Sequence, residues 1–298
     1  MRVAVYLPLL WSLALAALAA RLAAGTAPRL TPLLLTTASV SVAASWCWSL
    51  VILAGMSARR VAWLRPLSGL RAGPTTLLPP AALTAAALLL LTVAATALLR
   101  LLLRRGRDAR SAALLRVHGA ELTVLDSPDV HAFAVGGWPG RGHIITTTAL
   151  MTALDPTQRA VVLAHERSHT LRGHHLLGLL TRLAAAVNPL LLGLPALVDF
   201  ACEREADELA AATVGDRHVT ARTLATVALL QHRAARSARD VAFARLSVPA
   251  RVQALLLPEK RTSPLALSVT AALVLSAALS GIDVAGDADR IVELLKAR

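Results

Sequence analysis

Lysine, aromatic residues and cysteine are all scarce in this 298-residue chain, and each scarcity removes a class of explanation. The two cysteines, Cys47 in an apolar run and Cys202 in a polar one, are too few and too differently placed to build a disulfide framework. Lys260 and Lys296 are the only lysines, so the formal charge of +13, from 31 basic against 18 acidic residues, is an arginine charge. Aromatics make up only 3% of the chain. The arginines flank apolar runs and form no stripe with interleaved rings, so the expected partner is anionic lipid and not nucleic acid. Charged residues are also few, 16% against 56% hydrophobic, with a mean hydropathy of +0.60. That balance lies outside ordinary soluble usage and reads as a membrane protein.

Four apolar runs set the frame: residues 3–20, 33–55, 77–99 and about 265–282. Each is long enough to cross a bilayer. The first also has the basic start and small-residue end of a cleaved signal peptide, but its length and the spans that follow favour a retained helix. The chain divides into a transmembrane region at 1–105, a polar central region at 106–262, and a last span with a short tail at 263–298. On the side of the central region lie Arg21, Arg29, Arg100, Arg104, Arg105, Arg107, Arg110 and Arg116; on the other lie Arg2, Arg59, Arg60, Arg65 and Arg71. The excess of basic residues marks the cytoplasmic side, so the central region is expected in the cytoplasm of a multi-pass cell-membrane protein.

The central region holds nearly all the ionisable chemistry. Period-2 stretches at 120–127, 130–137 and 142–148, separated by Ser-Pro-Asp and Gly-rich turns, predict a small antiparallel sheet. A helix follows, with Asp155 as N-cap, Pro156 at its first position and Gln158 completing a capping box. No breaker interrupts it before Gly173, so His165 and His169 stand one turn apart on one face. With Glu166 they form H-E-x-x-H, in which two imidazoles bind one zinc ion and the glutamate serves as general base toward an activated water. The chemistry this points to is hydrolysis at neutral pH.

Two candidates exist for a third ligand. His175 has the ten-residue spacing of the H-E-x-x-H-x-x-G-x-x-H class, but Arg172 stands where that class needs glycine, and no methionine follows Met151 to make its Met-turn. The alternative is the run FACEREADELAA at 200–211. Glu203 and Asp207 share a helix face there, so one carboxylate can bind zinc and the other hydrogen-bond a ligating histidine. Glu205 points to the opposite side of that helix, and Cys202, about 100° from Glu203, is not expected to bind. His174 and His175 are expected at the surface, with support of the metal ligands from behind as the alternative.

H-E-R-S-H followed by E-R-E-A-D resembles the membrane gluzincin peptidases of the CAAX-prenyl-protease and HtpX type and the related BlaR/MecR-type antirepressor peptidases. HERSHTLRGHH is most similar to short actinobacterial members of the second branch, and the likeness spans roughly 110–256. The resemblance implies one zinc ion per chain, held by His165, His169 and Glu203, with Glu166 as base and Asp207 orienting a ligand. It implies that His131, Ala132, Phe133 and Ala134, in HAFAVGG, form the strand that lays a protein or peptide substrate along the cleft, with His131 where asparagine is usual. SVPARVQALL (247–256) resembles the closing helix of such domains. His218 is a candidate donor to the oxyanion.

A shared zinc also constrains topology. The apolar stretch 176–198 cannot cross the membrane once without separating Glu203 from His169, so it is expected as a hairpin of two short helices broken near Asn188-Pro189. The fold expected is therefore mainly α and integral to the membrane, with about four transmembrane helices and an α+β gluzincin zinc-peptidase domain. A regulatory antirepressor-type peptidase is the alternative function, although only 283–298 follow the last run, too short for the sensor domain of such receptors. A non-catalytic zinc scaffold is a further alternative, and it gives Glu166 no purpose. Oligomeric state is not legible.

Overall fold

The computed structural model describes residues 6–56, 81–114, 121–136, 142–234 and 238–296. The ends of some expected elements, together with Arg2, Arg59, Arg60, Arg65, Arg71 and Arg116, lie outside the described residues. In chain order the elements are α1 (Leu7–Gly25), α2 (Thr31–Met56), α3 (Ala81–Leu114), β1 (Leu122–Leu125), β2 (Ala132–Val135), β3 (His143–Thr147) and α4 (Thr148–Ala153). They continue with α5 (Pro156–Leu171), α6 (His174–Val187), a 3-10 turn at Pro189–Leu191, α7 (Leu194–Val214), α8 (Arg217–Ala234), α9 (Ala238–Leu256) and α10 (Pro264–Lys296).

Among the described residues, four helices are long and apolar enough to cross a membrane: Leu7–Gly25, Thr31–Gly55, Ala81–Arg107 and Pro264–Ile282. Their outer faces carry exposed leucines such as Leu10, Leu89 and Leu275, as a lipid-facing surface requires. The inner faces of α1, α2 and α10 join α6 and α7 in one core around Leu15, Leu35, Val42, Leu191, Val198 and Ala277, while α3 packs on α2 separately, through Ala87 against Leu50 and Leu53. Burying apolar surface gains little against lipid tails, so close packing and inter-helix hydroxyl bonds carry the association. Thr36 meets Thr181 at 3.1 Å and Ser45 meets Ser280 at 3.0 Å, which ties α2 to α6 and to α10.

Between α6 and α7 the chain turns back inside this bundle. Asn188 is fully buried at the break. Its side-chain amide donates to Ser12 Oγ at 2.8 Å and its carbonyl oxygen accepts from Leu190 N–H at 3.2 Å, so the interrupted backbone is satisfied inside protein. The second leg is not a short helix: α7 runs unbroken through the acidic stretch, because Pro195 sits at its permissive start and Gly215 provides the left-handed stop (φ 78°).

The sheet corrects the expectation of an antiparallel one. Its order is β1-β3-β2, with β1 parallel and β2 antiparallel to β3. The Ser-Pro-Asp link does not close a β1–β2 hairpin because its polar groups are held by the end of β3: Thr147 Oγ1 donates to the Asp129 carbonyl at 2.6 Å, and Ser127 N–H donates to Thr148 Oγ1 at 3.2 Å. β3 therefore inserts between the other two and is buried along its whole length, which leaves β2 as an edge strand.

Candidate metal centre and cleft

Helix α5 begins on the expected capping box: Asp155 accepts from Gln158 N–H, and the Gln158 side chain accepts from Asp155 N–H. It packs on α7 through Val161, Ala164 and Ala210, which brings the histidine face of α5 to the acidic face of α7. His165 Nε2 lies 3.2 Å from His169 Nε2 and 3.4 Å from Glu203 Oε2, and His169 Nε2 lies 3.5 Å from Glu203 Oε1. Zinc–nitrogen bonds of about 2.0–2.1 Å at tetrahedral angles place neighbouring donors about 3.3 Å apart, so the three side chains fit a tetrahedral ion with one position open.

The surroundings are arranged for a cation. His165 Nδ1 is 3.2 Å from Asp207 Oδ1, which would leave Nε2 for a metal ion. Burial alone would lower the His165 pKa, but hydrogen bonds to Asp207 and Glu203 outweigh it and raise it to about 10. Burial and the neighbouring charge of His165 push His169 down to about 3. Against burial, His165 and Arg251 hold the Glu203 carboxyl below the ordinary range, and Arg251 and His165 do the same for Asp207. Glu166 is displaced upward, chiefly by burial, and its carboxylate takes a hydrogen bond from the Ala134 backbone.

The cleft around these groups has a volume of about 600 Å³. One wall is the edge strand, with Ala132, Phe133 and Ala134. Thr147 N–H bonds the His131 carbonyl, and the antiparallel register then directs alternate backbone groups, those of Ala132 and Ala134, away from β3. One end of the cleft is apolar, with Leu150, Val161, Val162, Leu224 and Val227; the other carries Arg105, Arg182 and Asp199.

Not every sequence candidate reaches the cleft. His131 is exposed, with its backbone tied to β3. His218 is exposed in the first turn of α8, where its N–H donates to Asp216, and it does not line the cleft. His175 stands in the cleft wall against Gly136, where a Cβ would fall 2.7 Å from the imidazole. His174 is not at the surface: it is buried, with Nδ1 2.8 Å from His169 Nδ1 and Nε2 3.1 Å from Glu205 Oε2. Glu205 is buried as well, because α6 covers the side of α7 opposite Glu203. Arg251 on α9 has no place among the sequence candidates. It is buried, holds both oxygens of Asp207 at 2.7 and 2.8 Å, and reaches Glu203 Oε2 at 2.8 Å. The single arginine of the apolar stretch SVPARVQALL (247–256) was the available signal.

Residues 100–199 match the model of peptidase family M48, a stretch that contains His165, Glu166 and His169 and ends before Glu203. The matched family is one of metallopeptidases, which are typically zinc-dependent. Comparison with curated proteins and with solved structures gives no match.

Proposed function

We propose that this chain is a membrane-embedded, zinc-dependent endopeptidase of the M48 kind, nearest in type to the BlaR/MecR-like peptidases, with its cleft on the cytoplasmic side. One observation carries the reading: His165, His169 and Glu203 converge on a single point beside Glu166, directly against the outward-facing backbone of β2. A zinc ion held there would supply Lewis acidity, polarising the scissile carbonyl and lowering the pKa of the attacking water. An extended substrate pairs with Ala132 and Ala134 as an added strand, which fixes its backbone without demanding a particular sequence. Glu166 takes a proton from the water as the oxygen attacks the carbonyl carbon. It then passes that proton to the amide nitrogen as the C–N bond breaks, and a carboxyl pKa raised by burial suits both steps. Asp207 holds His165 in the tautomer that ligation needs. The apolar end around Leu150, Val162 and Val227 accommodates a hydrophobic substrate side chain.

Glu166→Gln keeps the shape and removes the base. The full-length variant, purified in detergent, should retain one zinc per chain and lose about 10²–10⁴-fold of its activity on an unfolded test protein. Undiminished cleavage by that variant would refute the mechanism.

A further inference from the structure

We propose that His174, Glu205 and Arg172 form a second orienting chain for the metal site, in which His174 positions His169 as Asp207 positions His165. The inference rests on the zinc reading above and extends it to three residues outside the H-E-x-x-H and E-x-x-x-D positions. The direction of each hydrogen bond follows from its end. The Arg172 guanidinium donates from Nε to Glu205 Oε1 at 2.6 Å. The other oxygen of this arginine-paired carboxylate accepts, so His174 Nε2, 3.1 Å away, is the donor. With its proton on Nε2, His174 has an acceptor at Nδ1, and His169 Nδ1, 2.8 Å away, must donate to it. His169 is then fixed as the tautomer whose Nε2 lone pair faces His165 and Glu203.

The two ligating histidines thus have matched supports. His165 is backed by Asp207, which is clamped by Arg251. His169 is backed by a buried imidazole, then a buried carboxylate, then Arg172. The indirect route has a geometric cause. Glu205 projects from the opposite side of α7 to Glu203, and His174, on the first turn of α6, fills the gap to His169. Burial of both His174 and Glu205 is costly unless their polar atoms are paired, and each finds its partner within this chain.

The test uses the full-length protein in detergent, with zinc affinity from competition against a chromophoric chelator and the visible spectrum of the cobalt-substituted site as an independent readout. His174→Ala should weaken zinc binding by about 10–100-fold and alter the cobalt bands. His174→Asn places a carbonyl oxygen where Nδ1 stood and should restore both most of the way. Zinc binding and cobalt bands in folded His174→Ala indistinguishable from wild type would overturn the proposal, as would Asn performing no better than Ala. If removal of the buried ring prevents folding, Arg172→Gln decides, since that side chain is half exposed: several-fold weaker zinc binding supports the chain, and unchanged binding rejects it. A wild-type protein that takes up no zinc would instead defeat the metal reading itself.

Discussion

Arg251 is a single side chain on which two acidic groups of the candidate metal centre depend. Its guanidinium spans Asp207 with both prongs in surroundings nearly closed to water, and touches Glu203, which is partly open to the cleft. Removing one partner of a buried, hydrogen-bonded charge pair leaves the other uncompensated, a loss of about 3–5 kcal/mol. Arg251→Ala should therefore lower the thermal unfolding midpoint substantially and weaken zinc binding as well, both measurable in detergent. Arg251→Lys should recover only part of either, because an ammonium cannot span a carboxylate bidentately. A variant as stable as wild type would show that Arg251 does not secure these acids.

At the scale of elements, the turn between α5 and α6 deserves its own test. Gly173 is left-handed (φ 65°, ψ 34°), and that single residue lets the chain leave α5 and begin α6 with His174 folded back beneath His169. Gly173→Ala should cost roughly 1–2 kcal/mol of stability, and Gly173→Asn less, as judged by thermal unfolding. Equal stability of wild type and Gly173→Ala would mean that the turn is not conformationally demanding. Within elements, the sequence was readable: the capping box at Asp155, the i, i+4 histidines and the shared face of Glu203 and Asp207 are local periodicities. What lay beyond reach was set by pairing across distance. Nothing near 122–125 says that β1 will lie parallel to a strand two elements on, and nothing in Arg251 announces a carboxylate 44 residues earlier in the chain. Glu205 was correctly placed opposite Glu203, but that side of α7 faces another helix and not water. His174 looked like surface for the same reason.

Across the whole molecule, the arginine asymmetry predicts a cytoplasmic cleft. Thr157, exposed near the start of α5, offers a site to check it. In intact cells a Thr157→Cys variant should resist a membrane-impermeant thiol reagent and react only after permeabilisation; Cys47 and Cys202, half-buried and buried respectively, provide the background. Labelling in intact cells would reverse the orientation.

The hairpin break pinned to Ser12 has a further consequence: it acts as a depth gauge. Ser12 lies thirteen residues before Gly25 at the cleft-side end of α1, about 20 Å along the helix axis. Glu203 lies nine residues beyond the start of α7 at Leu194, about 14 Å back toward that same end if α7 runs along the bundle. Most of the first climb is recovered by the second, and Arg172 Nη2 donates to the Arg29 carbonyl in the α1–α2 loop at 3.3 Å. With α1 across a bilayer, the candidate metal ligands would lie toward the headgroup level and not far out in bulk solution. On the proposed peptidase reading, the accessible bond would be one presented at the membrane surface, so proximity to the bilayer, more than side-chain identity, would select what is cut.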